Sequence, residues 1–379
     1  GDFEDWAEAG NPGWGASEAA AAFGRLEARL SVSDVSADHQ PVCRRFSEAV
    51  TEAGLPHGEP SAGEGAGPWR LTTRAGRRCS AADAFLFPAL RRPNLKLVTG
   101  AHATAILFED GRARGIRYIR AGRERVARCR GEVLLAAGAV QTPQLLQLSG
   151  IGPGALLQEH GLPVRVDNPH VGGNLQDHLG IDYAFRATEP TLNQVLGTRT
   201  GQAGAALRYA LARRGPLALS VNQMGALLRS GPGRDRADTQ LYFNPLTYSV
   251  RHGDRRPLLK PDPWPGFCLG FNSCRPTSRG RIDIASPDPL APPRIMPGAL
   301  STEADIAGVI AGARLVARLL GTAALSRLIA APLGFTPAGA PEEAVVADFR
   351  ARAASVYHLC GTARMAPRET GGASVSWPT

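Results

Sequence analysis

The chain has no Cys-x-x-Cys pair, no apolar run long enough to cross a bilayer, and no block of five or six basic residues. Each absence closes off a class of function. The six cysteines, Cys43, Cys79, Cys129, Cys268, Cys274 and Cys360, match no common zinc spacing. A chain of 379 residues needs no disulfide staples. Free thiols in a reducing cytoplasm are therefore expected, with no metal. The formal net charge is +9, but the arginines are dispersed, so a solvated basic surface is expected and no nucleic-acid partner. No signal peptide, internal repeat or low-complexity tract is visible. A Gly-x-Gly-x-x-Gly turn between a strand and a helix is also missing. Gly13-Trp14-Gly15 and Gly63-Glu64-Gly65 are loop glycines with no buried strand ahead of them.

What is present suits a soluble globular protein. Hydrophobic residues make up 43% and charged residues 20%, enough to fill a core and too apolar for a disordered chain. Residues 17–30 read as a helix capped by Ser17, with Ala19, Phe23, Leu26 and Leu30 on one face. A second helix spans 41–53, buries Val42, Phe46, Val50 and Ala53, and ends at Gly54. Residues 56–68 read as a loop. From His102 onward the period changes to that of strands. Asp110-Gly111 and Ala121-Gly122 mark the turns of a three-stranded meander.

Val133–Ala137 is a short apolar run without alternation, as expected of a strand buried on both faces. A helix follows, beginning near Thr142-Pro143. Residues 179–300 read as an antiparallel sheet with long loops, in which Leu241–Phe243 and Arg281–Ala285 are strands. Helices return at Asp305–Leu320 and Glu342–Ala354.

Two strings carry the chemistry. In GAVQTPQLLQLSGIG, Gly138–Gly152, small residues leave backbone open beside a helix N-terminus, where free N–H groups suit polar or anionic ligand atoms. In YHLCGTARM, Tyr357–Met365, a histidine sits in a turn with Gly361, and Thr362 can hold the loop by a hydroxyl bond to backbone. Of the eight histidines, His39, His57, His160, His170 and His252 are expected at the surface and His102 in a structural role.

Taken together the two strings resemble the glucose–methanol–choline (GMC) oxidoreductase family, in the style of its choline- and alcohol-dehydrogenase branch. GNPGWG at 10–15, TTRAGRRCSAA at 72–82, VGGNLQDH at 171–178 and RPTSRGRIDIASPDPLAPPRI at 275–295 extend the resemblance along nearly the whole chain, in the family's order. Leu359 stands where the family usually has proline, and Ala366 where it usually has glycine.

The resemblance implies an FAD flavoprotein that oxidises the CH–OH group of an alcohol. His358 falls on the family's catalytic histidine. Ala137 and Gly138 fall on the wall beside the adenosine half of FAD, and Ala103, in VTGAHA, on a backbone contact to the adenine. Alcohol oxidation removes a proton from oxygen as well as a hydride from carbon, and histidine suits the proton step. Asn174 and Asp177 are expected to brace a turn, His178 to partner it, and Cys360 to pack as an inert thiol.

The implied fold is mixed α/β: a partial doubly wound FAD-binding domain plus an antiparallel-sheet substrate domain. The expected division is 1–178 for an FAD-side segment without its dinucleotide-binding unit, 179–350 for the substrate-binding domain, and 351–379 for a truncated catalytic-histidine segment. On this reading the chain is incomplete at both ends and binds FAD weakly or not at all when isolated, and a second chain could supply the nucleotide-binding unit. A non-catalytic remnant, half of a split flavoprotein, and a lyase on the same fold remain alternatives. Which alcohol, and which electron acceptor, the sequence does not say.

Overall fold

The computed structural model describes residues 1–60, 63–251, 258–367 and 372. Its centre is a seven-stranded sheet whose pairings are all antiparallel. The order is Ile329–Pro332, Leu179–Ala187, Gly266–Ser273, Thr239–Asn244, Met224–Leu228 and Gly65–Pro68, with Ala354–Ser355 pairing the start of Leu179–Ala187. The sheet thus gathers chain from all three expected segments, with one strand from the first and one from the last.

Alternation along these strands sorts the two faces. Ile181, Tyr183 and Phe185 point one way, in register with Phe271, Leu269 and Phe267, and these in turn with Leu241 and Phe243. All are at most 2% exposed. Against them lie the helices Glu303–Leu320, through Val309, Ala313, Val316 and Leu320, and Cys43–Glu52, through Phe46 and Val50. The Phe46 and Phe243 rings sit 5.6 Å apart. Each such side chain contributes about 1.5–3 kcal/mol on burial.

The opposite face is polar and unusually bare. Its rows are Gly180, Asn272 and Gln240, then Asp182, Gly270 and Tyr242. A Cβ on Gly270 would collide with Tyr242 Cε2 and Asp182 Oδ1, and one on Gly180 with the Tyr242 hydroxyl. The glycines make room for the tyrosine ring to lie flat across the sheet. Gly270→Ala is expected to lower the urea unfolding midpoint by an amount equivalent to about 1–3 kcal/mol.

Several expectations hold. Asp110-Gly111 and Ala121-Gly122 all have positive φ at the meander turns. Val42, Phe46, Val50 and Ala53 are buried, and Gly54 has φ 61°. The helices at Glu303–Leu320 and Glu342–Arg352 fall within two residues of expectation.

Others are corrected. The first long helix is Ala16–Leu30 with Gly15 as its cap, and its apolar face is not core: Phe23 is 50% exposed. Gly65–Pro68 is a strand, not loop, because Gly65 and Gly67 let the chain run against Gly58 where a side chain would collide. Val133–Ala137 forms no strand, and Leu134 is 80% exposed. A strand of a doubly wound sheet needs a neighbour on each side, and among the described residues none pairs with it. Among the described residues the one parallel pair of strands is the short Ile151–Gly152 with Val166–Asp167, besides an isolated parallel bridge between His57 and Ala66. The helix expected from Thr142 begins at Gly138, four residues earlier, and takes Pro143 inside it. His39, His160 and His170 are half-buried, His57 is exposed as expected, and His252 lies outside the described residues. His102 is exposed, with Nε2 3.0 Å from the Pro289 carbonyl.

Candidate active site

Three motif strings meet in one backbone layer. VGGNLQDH runs between the 275–295 string and the YHLCGTARM string. Leu175 exchanges two backbone bonds of 2.9 Å with Gly280, and Gln176 two of 3.0 Å with Cys360. Asn174 sits at φ 58°, donates from Nδ2 to the Gly361 carbonyl at 3.2 Å and accepts from Arg279 Nε at 3.0 Å. Asp177 holds the next turn. Its Oδ1 accepts the His358 backbone N–H at 3.0 Å, and its other oxygen accepts the Ser355 hydroxyl. Ser355 Oγ in turn accepts the Tyr357 N–H at 2.9 Å. Tyr357 has φ 63°, a conformation an aromatic residue adopts only when its surroundings impose it. Asn174 and Asp177 therefore brace turns, as the sequence led us to expect.

The histidine turn is also tied to the glycine bend. Pro143 has no N–H, so the Ala139 carbonyl, four residues earlier in the Gly138–Leu148 helix, has no helical donor. The Thr362 hydroxyl supplies one, at 2.6 Å. Thr362 is 1% exposed, so the bond is shielded from water. A proline placed inside a helix thus creates the acceptor on which the YHLCGTARM string docks. Asn11, in the GNPGWG string, reaches the same end of the chain through a 3.3 Å bond from Nδ2 to the Met365 carbonyl.

His358 faces a cavity of about 640 Å³. The floor is the polar face of the sheet, including Asp182, Gln240, Tyr242, Asn244 and Asn272. A larger, basic cavity of about 1470 Å³ adjoins it, sharing Leu71 and Ser220 and lined by Arg74, Arg77, Arg78 and Arg91. Chemistry is assigned to the smaller one because it alone of the two holds an imidazole. Burial pushes the Asp182 carboxyl up to about 6, against the pull of Arg352. Burial likewise raises the Tyr242 and Tyr248 phenols. The Cys360 thiol is raised too, by burial and then by Asp177, which leaves it protonated and poorly suited to act as a nucleophile.

The His178 ring lies 5.5 Å from that of His358, edge to face. Its Nε2 is 3.1 Å from the Cys274 carbonyl, so that nitrogen carries the hydrogen, and Nδ1 is buried without a partner among the described residues. Burial first, and the neighbouring His358 second, hold His178 below its ordinary value of 6.5. The unfolded chain therefore binds this proton before the folded one does. Stability is fully present above pH 6.5 and is lost as pH falls through and below it. Replacing His178 by Gln should flatten the decline in urea midpoint between about pH 7.5 and 5.

The other expected cofactor neighbours lie on exposed backbone. Ala137 and Gly138 stand at the head of the Gly138–Leu148 helix, where Gly138 has φ 78° and a Cβ would meet nothing within 4 Å. Ala103 is exposed on the Ala101–Glu109 strand, which Ser149 joins to the far end of the same helix by accepting the Ile106 N–H at 2.8 Å. The structure therefore joins Ala139, the neighbour of Gly138, to the His358 string, and the Ala103 strand to the far end of the same helix.

Sequence reasoning missed two residues of this frame. Gln147 is 0% exposed and bonds the Val171 and Ile282 carbonyls and the Ile284 N–H. Asp182 on the cavity floor was the other. A glutamine among leucines on a buried helix face was the one available signal for the first; a lone aspartate in an apolar strand was the signal for the second.

Family models described as GMC oxidoreductase match residues 1–180 and 276–376. An alcohol dehydrogenase [acceptor] from Pseudomonas putida is 36% identical over 384 residues, covering 96% of this chain and 68% of that protein. An oxygen-dependent choline dehydrogenase from Rhizobium johnstonii is 33% identical, covering 97% and 68%. A solved Aspergillus oryzae formate oxidase, determined to follow FAD modification, superposes with a TM-score of 0.76 at 22% identity, covering 86% of this chain. The chain spans 60% of that oxidase's length.

Proposed function

Since the chain belongs to the GMC oxidoreductase family, we propose that it forms the substrate side of an FAD-dependent oxidoreductase acting on the CH–OH group of an alcohol, with His358 as general base. The single observation that carries this reading is the Thr362–Ala139 bond. It seats the histidine turn against the bend expected to border the cofactor, at the mouth of a cavity large enough for a small alcohol.

The bend fits such a cofactor. Gly138 adds no bulk, its positive φ turns the backbone outward, and the first N–H groups of its helix lie open. Ala103, Ala137 and Gly138 are the residues proposed to border FAD, which supplies the hydride acceptor when bound. The chain's own work is to receive the hydroxyl proton at the His358 imidazole, to hold that imidazole through Asp177 and Thr362, and to seat the alcohol on the polar sheet face. Among the described residues no helix is long and apolar enough to cross a membrane.

The test is anaerobic mixing of the FAD-loaded protein with a panel of primary alcohols. Bleaching of the flavin absorbance by at least one of them is expected. Absence of bleaching across the panel, with FAD bound, would remove redox turnover and leave the lyase and non-catalytic readings.

A further inference from the structure

The floor of the His358 cavity carries two acceptors that nothing among the described residues satisfies. Asp182 Oδ1 and Asn244 Oδ1 are both buried and have no hydrogen-bond partner among the described residues. Both residues line the cavity. They belong to adjacent rows on the same sheet face, Asp182 beside Gly270 and Tyr242, Asn244 beside Cys268. The nearby cation does not answer them. Arg352 gives its guanidinium to Asp348 at 2.6–2.7 Å, stacks on Tyr183, and reaches Asp182 only at the backbone carbonyl, 3.0 Å away. The Tyr242 hydroxyl is turned to the Ile181 and Phe271 carbonyls. A buried acceptor left without a donor costs stability. Two of them on residues that line one cavity indicate that the missing donors arrive with the ligand.

We propose that Asp182 and Asn244 select an alcohol bearing a second hydrogen-bond donor, a hydroxyl or a primary ammonium, remote from the carbon that reacts. The proposal deepens the functional reading above and rests on it for the location of the reacting hydroxyl. It distinguishes this cavity from one built for a plain alkanol, which could not satisfy the acceptors, and from one built for a quaternary ammonium, which carries no N–H. Burial already leaves Asp182 with a raised titration point, so a protonated amine bound there would pull it back toward the ionised form.

The experiment measures dissociation constants by calorimetry on the FAD-loaded protein, using four ligands of equal chain length: 1-butanol, 1,4-butanediol, 4-amino-1-butanol and its N,N,N-trimethyl derivative. The His358→Ala variant is titrated alongside the wild type, so that binding is read without turnover. The diol or the amino alcohol should bind at least about 10²-fold tighter than 1-butanol in both proteins. The arm that wins assigns the donor as hydroxyl or ammonium. In Asp182→Ala that preference should fall at least about tenfold; Asp182→Asn, which keeps the shape, should retain the diol better than the amino alcohol. Equal binding of 1-butanol, a trimethyl derivative as tight as the primary amine, or a preference unchanged in Asp182→Ala would each overturn the proposal. Loss of flavin reduction in His358→Ala with the preference intact would leave both readings standing. Preserved reduction in that variant would remove the assigned base without touching the donor selection.

Discussion

His358→Ala is expected to lower the rate of anaerobic flavin reduction by an alcohol by roughly 10²–10⁴-fold, with FAD content unchanged. The magnitude is that of a positioned general base. FAD content should hold because the proposed cofactor neighbours are backbone at Ala103, Ala137 and Gly138, and the His358 side chain is exposed to the cavity. His358→Gln, which keeps a polar group but no comparable base, should recover little. Stopped-flow absorbance separates this loss from a loss of binding, since the limiting rate falls while the alcohol concentration at half-saturation changes less. A variant that still reduces its flavin within a factor of two of wild type would take His358 out of the mechanism.

Thr362→Val is expected to have the second-largest effect, and it acts at a distance from the substrate. Valine keeps the volume and removes the hydroxyl, so the Ala139 carbonyl loses its 2.6 Å donor while staying half-buried. That costs about 1–3 kcal/mol. The same change releases the histidine turn from the glycine bend, so reduction should slow by more than the stability loss would suggest. Thr362→Ser, which keeps the hydroxyl, should retain most of both. Pro143→Ala offers a sharper control, because it restores a helical N–H to the same carbonyl. In the double variant stability should recover and the reduction rate should not. If the double variant regains both, Thr362 is a structural partner only, and the docking of the histidine turn carries no catalytic weight.

The sequence was legible where a local rule and the tertiary structure agree. Asp110-Gly111 demanded positive φ and found it, and the Phe46–Val50 face of its helix met the apolar side of the sheet. It was misleading where pairing partners decide. Val133–Ala137 has the composition of a central strand, but composition does not provide neighbours. Gly65–Pro68 has the composition of a loop, and its missing side chains are what let it pair at a crowded edge. Pro143 read as a helix start by its usual preference. Its role could not be seen without Thr362, 219 positions later, which relieves the carbonyl the proline strands.

The site divides in the same way. His358, Gly138 and Ala103 were singled out from motif strings. Asp182 and Gln147 lie in stretches that look like ordinary strand and helix, and they gain their meaning from register and burial. Strand alternation would have put Asp182 opposite Ile181 and Tyr183, on the face away from the core. Only the register with Gly270 and Tyr242 shows that this face is the floor beneath the imidazole.

The central claim is that the alcohol hydroxyl comes to the His358 imidazole above the polar sheet face. A crystal structure of the FAD-loaded protein with a bound, non-oxidisable alcohol analogue tests it most directly. The account predicts the analogue's oxygen within about 3 Å of an imidazole nitrogen of His358, with the rest of the molecule over Asp182 and Tyr242. An analogue bound elsewhere, with the imidazole turned to solvent and the sheet face empty, would contradict it.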